Sequence, residues 1–183
     1  MSTTLTGTRV AFVSTDGFED SELLEPWKAV TAAGATAVLI APEAGTITGK
    51  NGHEATVDLT TADAVASEYD ALVLPGGVVN ADHLRLDAAA VALVRDIVTD
   101  AKPVGVICHG AWILADADVL TGRTITSYPS LRTDLTNAGA TWVDEEVVCD
   151  LGLVSSRTPE DLPAFCDKLI EEIAEGPHPQ REA

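Results

Sequence analysis

Short apolar runs rich in Val, Ile and Leu recur along this chain and alternate with longer segments whose apolar residues have helical spacing. Such runs are typical of strands that are buried on both faces of a sheet. Helical spacing is clearest between Leu23 and Val30 and between Val91 and Val98. The alternation predicts a mainly parallel sheet with central strands at residues 10–13, 37–40, 71–74 and 104–107.

The remaining segments extend this α/β pattern. Residues 45–60 alternate between polar and apolar positions and contain glycines, which predicts a β-excursion. We expect shorter strands at residues 124–126, 141–143, 147–149 and 153–155, and further helices at residues 87–101, 111–117, 129–137 and 159–175. The chain is predicted to be a single domain over residues 1–176. A polar tail at residues 177–183 is expected to be frayed.

The composition excludes several classes of protein. Apolar residues make up 46% of the 183 residues, enough for a sizeable core, but no window approaches the roughly 18 uninterrupted apolar residues of a membrane span. The N-terminus lacks the basic start and apolar stretch of a signal peptide, so we expect a cytoplasmic protein.

The charge is strongly negative. The net charge is −18, because 29 acidic residues face 11 Lys and Arg. Such a chain repels phosphate backbones and anionic membrane surfaces, so neither nucleic acid nor membrane is expected as a partner. An acid-rich, Lys-poor surface also suits a high-salt cytoplasm, where ions screen self-repulsion.

The cysteines and histidines do not form a familiar metal or disulfide pattern. There are three cysteines and four histidines, and no CxxC or HxxxH spacing is present. An odd, sparse set of cysteines does not predict a disulfide framework. We therefore expect no metal site and no cofactor.

The strongest chemical signal is the segment VGVICHGAWIL at residues 104–114. A buried strand runs directly into Cys108-His109-Gly110 and then into a helix, which is the arrangement of a nucleophile elbow with Cys in place of Ser. The thiol would lie at the carboxyl end of a central strand, near a helix N-terminus that favours the thiolate. The alternative is that Cys108 is a small buried core residue.

Two further segments fit the same site. In LVLPGG, residues 72–77, the backbone N–H groups of Gly76 and Gly77 could form an oxyanion hole, although two glycines after a strand also suit a plain turn. Glu19 follows the first strand and could move protons for the thiol, or it could simply complement a helix N-terminus. His109 is a possible base, which would need a carboxylate to orient it.

The motifs together resemble the PfpI family, within the superfamily of the Parkinsonism-associated deglycase and the class I glutamine amidotransferases. They are GFEDSEL (17–23), GTITGK (45–50), YDALVLPGG (69–77), KPVGVICHG (102–110), LTGRTITSYPSL (120–131), NAGATWVDEEVV (137–148) and LVSSRTPEDLPAF (153–165). The resemblance implies a flavodoxin-like three-layer α/β sandwich.

The resemblance also implies roles for individual residues. Cys108 would be the nucleophile, Glu19 its hydrogen-bonded partner and His109 the adjacent histidine, with the N–H groups of Gly76 and Gly77 as oxyanion donors. In the family a third acid comes from a neighbouring subunit, and Asp82 is the nearest match. That implies a homo-oligomer, either a dimer or a hexamer. Trp112 stands where it would line the pocket and bind substrate, or merely pack.

Three functions remain open. The first is a stress-response enzyme that acts on reactive dicarbonyls or their early protein adducts, of the glyoxalase or deglycase type. The second is an intracellular cysteine peptidase. The third is a redox sensor or chaperone whose Cys108 is oxidised. Glutamine amidotransferase activity is disfavoured, because the only histidine after His109 is His178.

Overall fold

A computed structural model describes residues 4–179. The strands are β1 (Arg9–Val13), β2 (Thr36–Ala41), β3 (Thr46–Thr48), β4 (Glu54–Thr56), β5 (Leu59–Thr60), β6 (Ala71–Leu74), β7 (Val104–Ile107), β8 (Thr124–Ile125), β9 (Thr141–Trp142), β10 (Val148–Asp150) and β11 (Leu153–Ser156). The helices are α1 (Asp20–Ala32), α2 (Val78–Leu84), α3 (Ala88–Thr99), α4 (Trp112–Asp116), α5 (Arg132–Asn137) and α6 (Leu162–Glu175).

The main sheet has seven strands in the order β10-β11-β7-β6-β1-β2-β5. Every neighbouring pair is parallel except β10 and β11, which are antiparallel. The four predicted central strands are confirmed, since β7, β6, β1 and β2 all lie inside the sheet. The predicted flavodoxin-like α/β sandwich is therefore confirmed.

Two apolar layers cover the two faces of the sheet. Successive side chains of β1 alternate between them: Val10 and Phe12 face the layer that contains α1 and α6, whereas Ala11 and Val13 face the layer that contains α3 and α4. Alternation with apolar residues on both sides is what a doubly covered parallel strand requires.

Helix α2 was not predicted from the sequence. Its two valines, Val78 and Val79, are 56% and 51% exposed, whereas the polar side chain of Asn80 is completely buried. The buried residues of the helix are Asn80, Ala81 and Leu84, so its buried face includes a polar residue and no apolar stripe at helical spacing marks it.

The predicted β-excursion is a hairpin. Strands β3 and β4 pair antiparallel, and the short strand β5 that follows returns to the main sheet beside β2. The carboxylates of Asp16 and Asp20 accept hydrogen bonds from the backbone N–H groups of Thr48, Asn51 and His53. The loop after β1 thus holds the hairpin against the carboxyl edge of the sheet.

The C-terminal segment is more ordered than predicted. Its backbone N–H at His178 donates to the Ala101 carbonyl at 2.9 Å, and the His178 ring lies against Gly152. His178 thus has specific contacts in the predicted tail, and residues 180–183 lie outside the described part of the chain. Within residues 4–179, no helix combines the length and the apolar character needed to cross a bilayer.

Candidate active site

Cys108 occupies a strained turn between β7 and α4. Its φ is +60°, a left-handed conformation that non-glycine residues adopt uncommonly and that often occurs at active sites. A 3-10 turn over Cys108–Ala111 leads into α4. Gly110 allows this bend, because a Cβ there would meet the Pro75 carbonyl oxygen at 2.8 Å. The geometry of the predicted elbow is therefore present.

The two-glycine turn after β6 lies directly beside the thiol. A Cβ on Gly76 would stand 2.7 Å from the Cβ of Cys108, so only glycine fits there. The buried Asn80 amide fixes the turn by donating to the carbonyls of Pro75 and Gly76 at 3.1 and 3.0 Å. Its Oδ1 accepts from the Thr15 N–H at 2.7 Å, which ties the turn to the end of β1.

The carboxyl group next to Cys108 belongs to Glu22 and not to Glu19. Glu22 is completely buried, its Oε2 accepts a hydrogen bond from the Gly76 N–H at 2.8 Å, and its carboxyl group lies within hydrogen-bonding range of the Cys108 thiol. Glu19 is the residue before the first turn of α1, so its side chain points out of the helix end. The predicted assignment of Glu19 as the partner of the thiol is corrected on this geometry.

Burial dominates the acid–base behaviour of this pair. It raises the pKa of Glu22 to about 8, against the opposing hydrogen bond from Gly76. Burial also raises the pKa of the Cys108 thiol, and the nearby Glu22 carboxylate raises it further because two negative charges repel each other. Around neutral pH, therefore, the two groups together carry at most one negative charge.

Two backbone N–H groups face the sulfur. They belong to Gly77 and His109, and both lower the pKa of Cys108 by stabilising the thiolate. The predicted oxyanion pair is thus only half available, because the N–H of Gly76 is already bonded to Glu22. Gly77 has a φ of +93° and is the residue that precedes α2.

His109 touches the nucleophile directly. Its Nδ1 lies 3.3 Å from the Cys108 sulfur, and its Nε2 lies 3.3 Å from the hydroxyl oxygen of Ser130. The ring stacks on Tyr128, with 4.6 Å between centroids. Burial lowers the pKa of His109, and the Lys50 charge lowers it further, so the imidazole is neutral and able to accept a proton. A hydroxyl therefore stands where we expected an orienting carboxylate.

Cys108 opens into a pocket of about 410 Å³. Glu19 lines it and forms an ion pair with Lys50, which the β3–β4 hairpin carries to the pocket mouth. The remaining lining is mostly apolar: Gly17, Gly77, Val78, Val79, Tyr128 and Pro159, with His109 beside the thiol. The pocket is thus a small, largely apolar chamber with one ion pair at its mouth.

Comparison with known proteins identifies the family of this chain. Residues 8–172 match the DJ-1/PfpI family. The chain belongs to the DJ-1/PfpI family. It is 44% identical over 163 residues to a deglycase of Pyrococcus horikoshii, covering 89% of this chain and 98% of that protein. It is also 46% identical over 158 residues to YraA of Bacillus subtilis, whose name proposes a cysteine protease, covering 86% of this chain and 93% of that one.

A solved structure from the DJ-1/PfpI group has the same fold. A two-domain protein of Anabaena variabilis, with DJ-1/ThiJ/PfpI-like and ferritin-like domains, superposes with a TM-score of 0.88 at 33% identity. The match covers 91% of this chain and 48% of that protein, so the chain spans about half of its length.

Two residues that the PfpI resemblance suggested lie outside this pocket. Trp112 packs against the α3–α4 layer, with the Arg85 guanidinium 4.5 Å from its ring centroid, and it does not line the pocket. The prediction that it binds substrate is corrected to a packing role beneath His109, whose ring centroid is 6.4 Å away. Asp82 is exposed on α2 and is not part of the pocket lining.

Sequence reasoning within the DJ-1/PfpI motifs missed Glu22. The signal was present, because Glu22, Pro26 and Val30 are spaced four residues apart and form the buried stripe of α1. Because Glu22 occupies the same helical face as these apolar residues, its position in the sequence predicts that it is buried. Lys50, Tyr128 and Ser130 were also missed, because they reach the site only through long-range folding.

Proposed function

We propose that this protein is a cysteine-dependent enzyme that acts on reactive dicarbonyls or their early adducts on proteins. The observation that carries the proposal is the contact between the Cys108 thiol, which lines a small pocket, and the completely buried Glu22 carboxyl group behind it. A small aldehyde fits such a chamber, and the deglycase name of the Pyrococcus relative supports the same substrate class.

The first step would be thiolate addition to an aldehyde carbon. The sulfur electron pair forms the C–S bond, the carbonyl π electrons move to oxygen, and a proton from Glu22 neutralises the oxyanion as a hemithioacetal. Proton transfer from C1 to C2 through an enediol gives a thioester. Water then hydrolyses the thioester, which releases an α-hydroxy acid and restores the thiol. Addition of water is the only net change.

Glu22 suits the role of the acid because its pKa is raised to about 8. A carboxyl group with an ordinary pKa would be ionised at neutral pH and would repel the thiolate. Its Oε1 is buried and meets no donor with hydrogen-bond geometry among residues 4–179, so a proton can reside there. Neutral His109, 3.3 Å from the sulfur, is placed to take the thiol proton or the C1 proton.

The test compares two substrates in one preparation. Wild-type protein and Cys108→Ala are assayed for consumption of methylglyoxal and for cleavage of a fluorogenic peptide. We expect methylglyoxal turnover that Cys108→Ala abolishes, and little peptide cleavage. Absence of Cys108-dependent turnover of methylglyoxal and of a glycated model peptide would reject the proposal.

A cysteine peptidase is the second candidate. The 3.3 Å contact between Cys108 and His109 is the nucleophile–base pair that such an enzyme needs, and the name of the YraA relative points the same way. Cys108-dependent peptide cleavage without methylglyoxal turnover would favour this function.

We also propose that the protein is a homo-oligomer, a dimer or hexamer, in which Asp82 of one subunit approaches His109 of another. Support comes from the exposed position of Asp82 and from the absence of a carboxylate bonded to His109 among the residues described in one chain. Sedimentation of a monomer at micromolar concentration would contradict this assembly. So would unchanged turnover by Asp82→Asn.

A further inference from the structure

A cluster of side chains that could hold a metal ion lies outside the Cys108 pocket, where the C-terminal segment meets α6. Glu172, Glu175 and His178 each direct one potential ligand atom into a common space, and these atoms all lie within 4.8 Å of one another. The His178 Nε2 is 2.9 Å from Glu172 Oε2 and 4.0 Å from Glu175 Oε2. The Cys149 thiol, exposed on the edge strand β10, interacts with the same Glu172 carboxylate, although its sulfur lies outside the group of atoms within 4.8 Å of one another.

Local structure explains why these residues meet. Glu172 and Glu175 are three residues apart, and hence neighbours on one face of α6. Gly176 ends the helix with a φ of +81°, which turns the chain back on itself. The His178 backbone then bonds to Ala101, so the imidazole is fixed over Glu172.

The position of the His178 ring is unusual for a simple hydrogen bond. Its Nε2 is buried and has no partner with hydrogen-bond geometry in residues 4–179, although a carboxylate oxygen lies only 2.9 Å away. The carboxylate therefore stands off the axis along which the ring nitrogen donates or accepts. An ion on that axis would be shared by the nitrogen and the carboxylate oxygens.

The donors suit one class of ion. One imidazole nitrogen, two carboxylate oxygens and one thiol make a mixed N, O and S set, which Zn²⁺ accepts in tetrahedral sites. Lys168 occupies only Oε1 of Glu172, at 2.7 Å, and leaves Oε2 for an ion. Two ligand atoms that each lie about 2.1 Å from the same ion can be at most about 4.2 Å apart. Glu175, whose side chain is 55% exposed, can close the remaining gap.

We propose that Glu172, Glu175 and His178 form a binding site for Zn²⁺ or a similar divalent transition metal, with Cys149 as the fourth ligand. The thiol loses its proton to solvent when the ion binds. The site fastens the C-terminal segment to α6 and to the β10–β11 edge of the sheet, and it has no part in the chemistry of Cys108. The sequence-based expectation of no metal site missed the spacing E-x-x-E-x-x-H at residues 172–178.

The competing account is an ion pair without a metal. Glu172 is 4% exposed and touches Lys168, so a protonated His178 could hold the segment by charge alone. In that case the histidine would matter for stability, but added zinc would not.

Zinc binding is measured by calorimetric titration of chelator-treated, full-length protein. All variants carry Cys108→Ala, so that the thiol of the candidate active site contributes nothing. We expect one tight site per chain and a melting temperature that rises with zinc. His178→Ala and Glu175→Gln should each weaken binding at least about tenfold, since even residues that only support ligands cost that much. The matched controls are His83→Ala and Glu171→Gln, which should bind as the parent does.

Cobalt substitution tests the fourth ligand. We expect Co²⁺ to show a near-ultraviolet sulfur-to-metal charge-transfer band that disappears in Cys149→Ser. No binding in the Cys108→Ala parent, or equal binding by the His178→Ala variant, would overturn the site. Binding that depends on His178 but shows no sulfur band would overturn the role of Cys149 alone.

Discussion

Two clusters of the molecule each contain a cysteine, a glutamate and a histidine. They differ in whether a positive charge neutralises the glutamate. Cys108 and His109 line the pocket with Glu22 buried behind the thiol, whereas Cys149, Glu172 and His178 join the C-terminal segment to α6. In both clusters a buried glutamate lies within hydrogen-bonding range of a cysteine thiol.

The difference lies in the neighbours of the two carboxylates. Glu22 receives one backbone hydrogen bond and has no ion pair with a cation of residues 4–179, so burial raises its pKa to about 8. Burial acts in the same direction on Glu172, but hydrogen bonds from Lys168 and Cys149 outweigh it, and the pKa of Glu172 is lowered. One buried glutamate is therefore kept as a proton donor, and the other is a fixed anion suited to binding a cation.

The largest expected effect is a difference in substrate turnover between variants of the two glutamates. Glu22→Gln should reduce turnover of the dicarbonyl substrate roughly 10²- to 10⁴-fold, the usual contribution of a general acid. Glu172→Gln should leave turnover within about twofold, because Glu172 is not among the groups that act on Cys108. Steady-state kinetics on both variants provides the measurement. Glu19→Gln, which changes a carboxylate that lines the pocket, serves as the control and should cost less than Glu22→Gln.

The two cysteines should also differ in how alkylation depends on pH. Burial and the Glu22 carboxylate raise the pKa of Cys108 to about 12, so its labelling by iodoacetamide should rise only well above neutral pH. Burial and Glu172 raise the pKa of Cys149 to about 11, so its labelling should rise at a somewhat lower pH. Peptide mass spectrometry in the presence of a chelator resolves the two sites. In Glu22→Gln the rise for Cys108 should move to lower pH, because a like charge is removed, whereas an unmoved Cys108 profile would contradict the coupling of the two groups.

Glu172 should matter for stability where Glu22 matters for catalysis. Its folded-state pKa is lowered, so its contribution is present above the unfolded pKa and is lost as pH falls through the folded value. Glu172→Gln should therefore cost about 1–3 kcal/mol at pH 7 and much less near pH 3. Urea unfolding at both pH values, without metal, tests this. An equal loss at the two pH values would contradict an ionic role.

The smallest effect concerns charges outside both clusters. Because 29 acids face 11 bases, screening of their repulsion should raise the melting temperature by about 2–8 °C between low and molar KCl. Glu22 and Glu172 are both buried and are screened less than surface charges, so Glu172→Gln should show the same slope as wild type. A flat melting temperature across this range would remove the interpretation of a high-salt protein.

Much of the fold was determined by the sequence. The central strands and helix α3 were predicted because their apolar residues keep one period over many positions and face a continuous core. Helix α2 was not, since its exposed valines and buried Asn80 carry no such period. Cys108 was found from a local feature as well, a strand that runs into Cys-His-Gly.

The identity of the proton donor was decided only by tertiary structure. Glu19 and Glu22 lie in the same short motif, and the sequence favoured Glu19 because it directly follows the first strand. The start of α1 at Asp20 leaves Glu19 at the helix end, beside Lys50, and turns Glu22 into the core beside Gly76. The second cluster likewise needed the fold, because Cys149 and His178 are distant in sequence. Sequence patterns report which faces are buried, whereas pKa values depend on the few charges and N–H groups that folding brings within several ångströms of a buried acid.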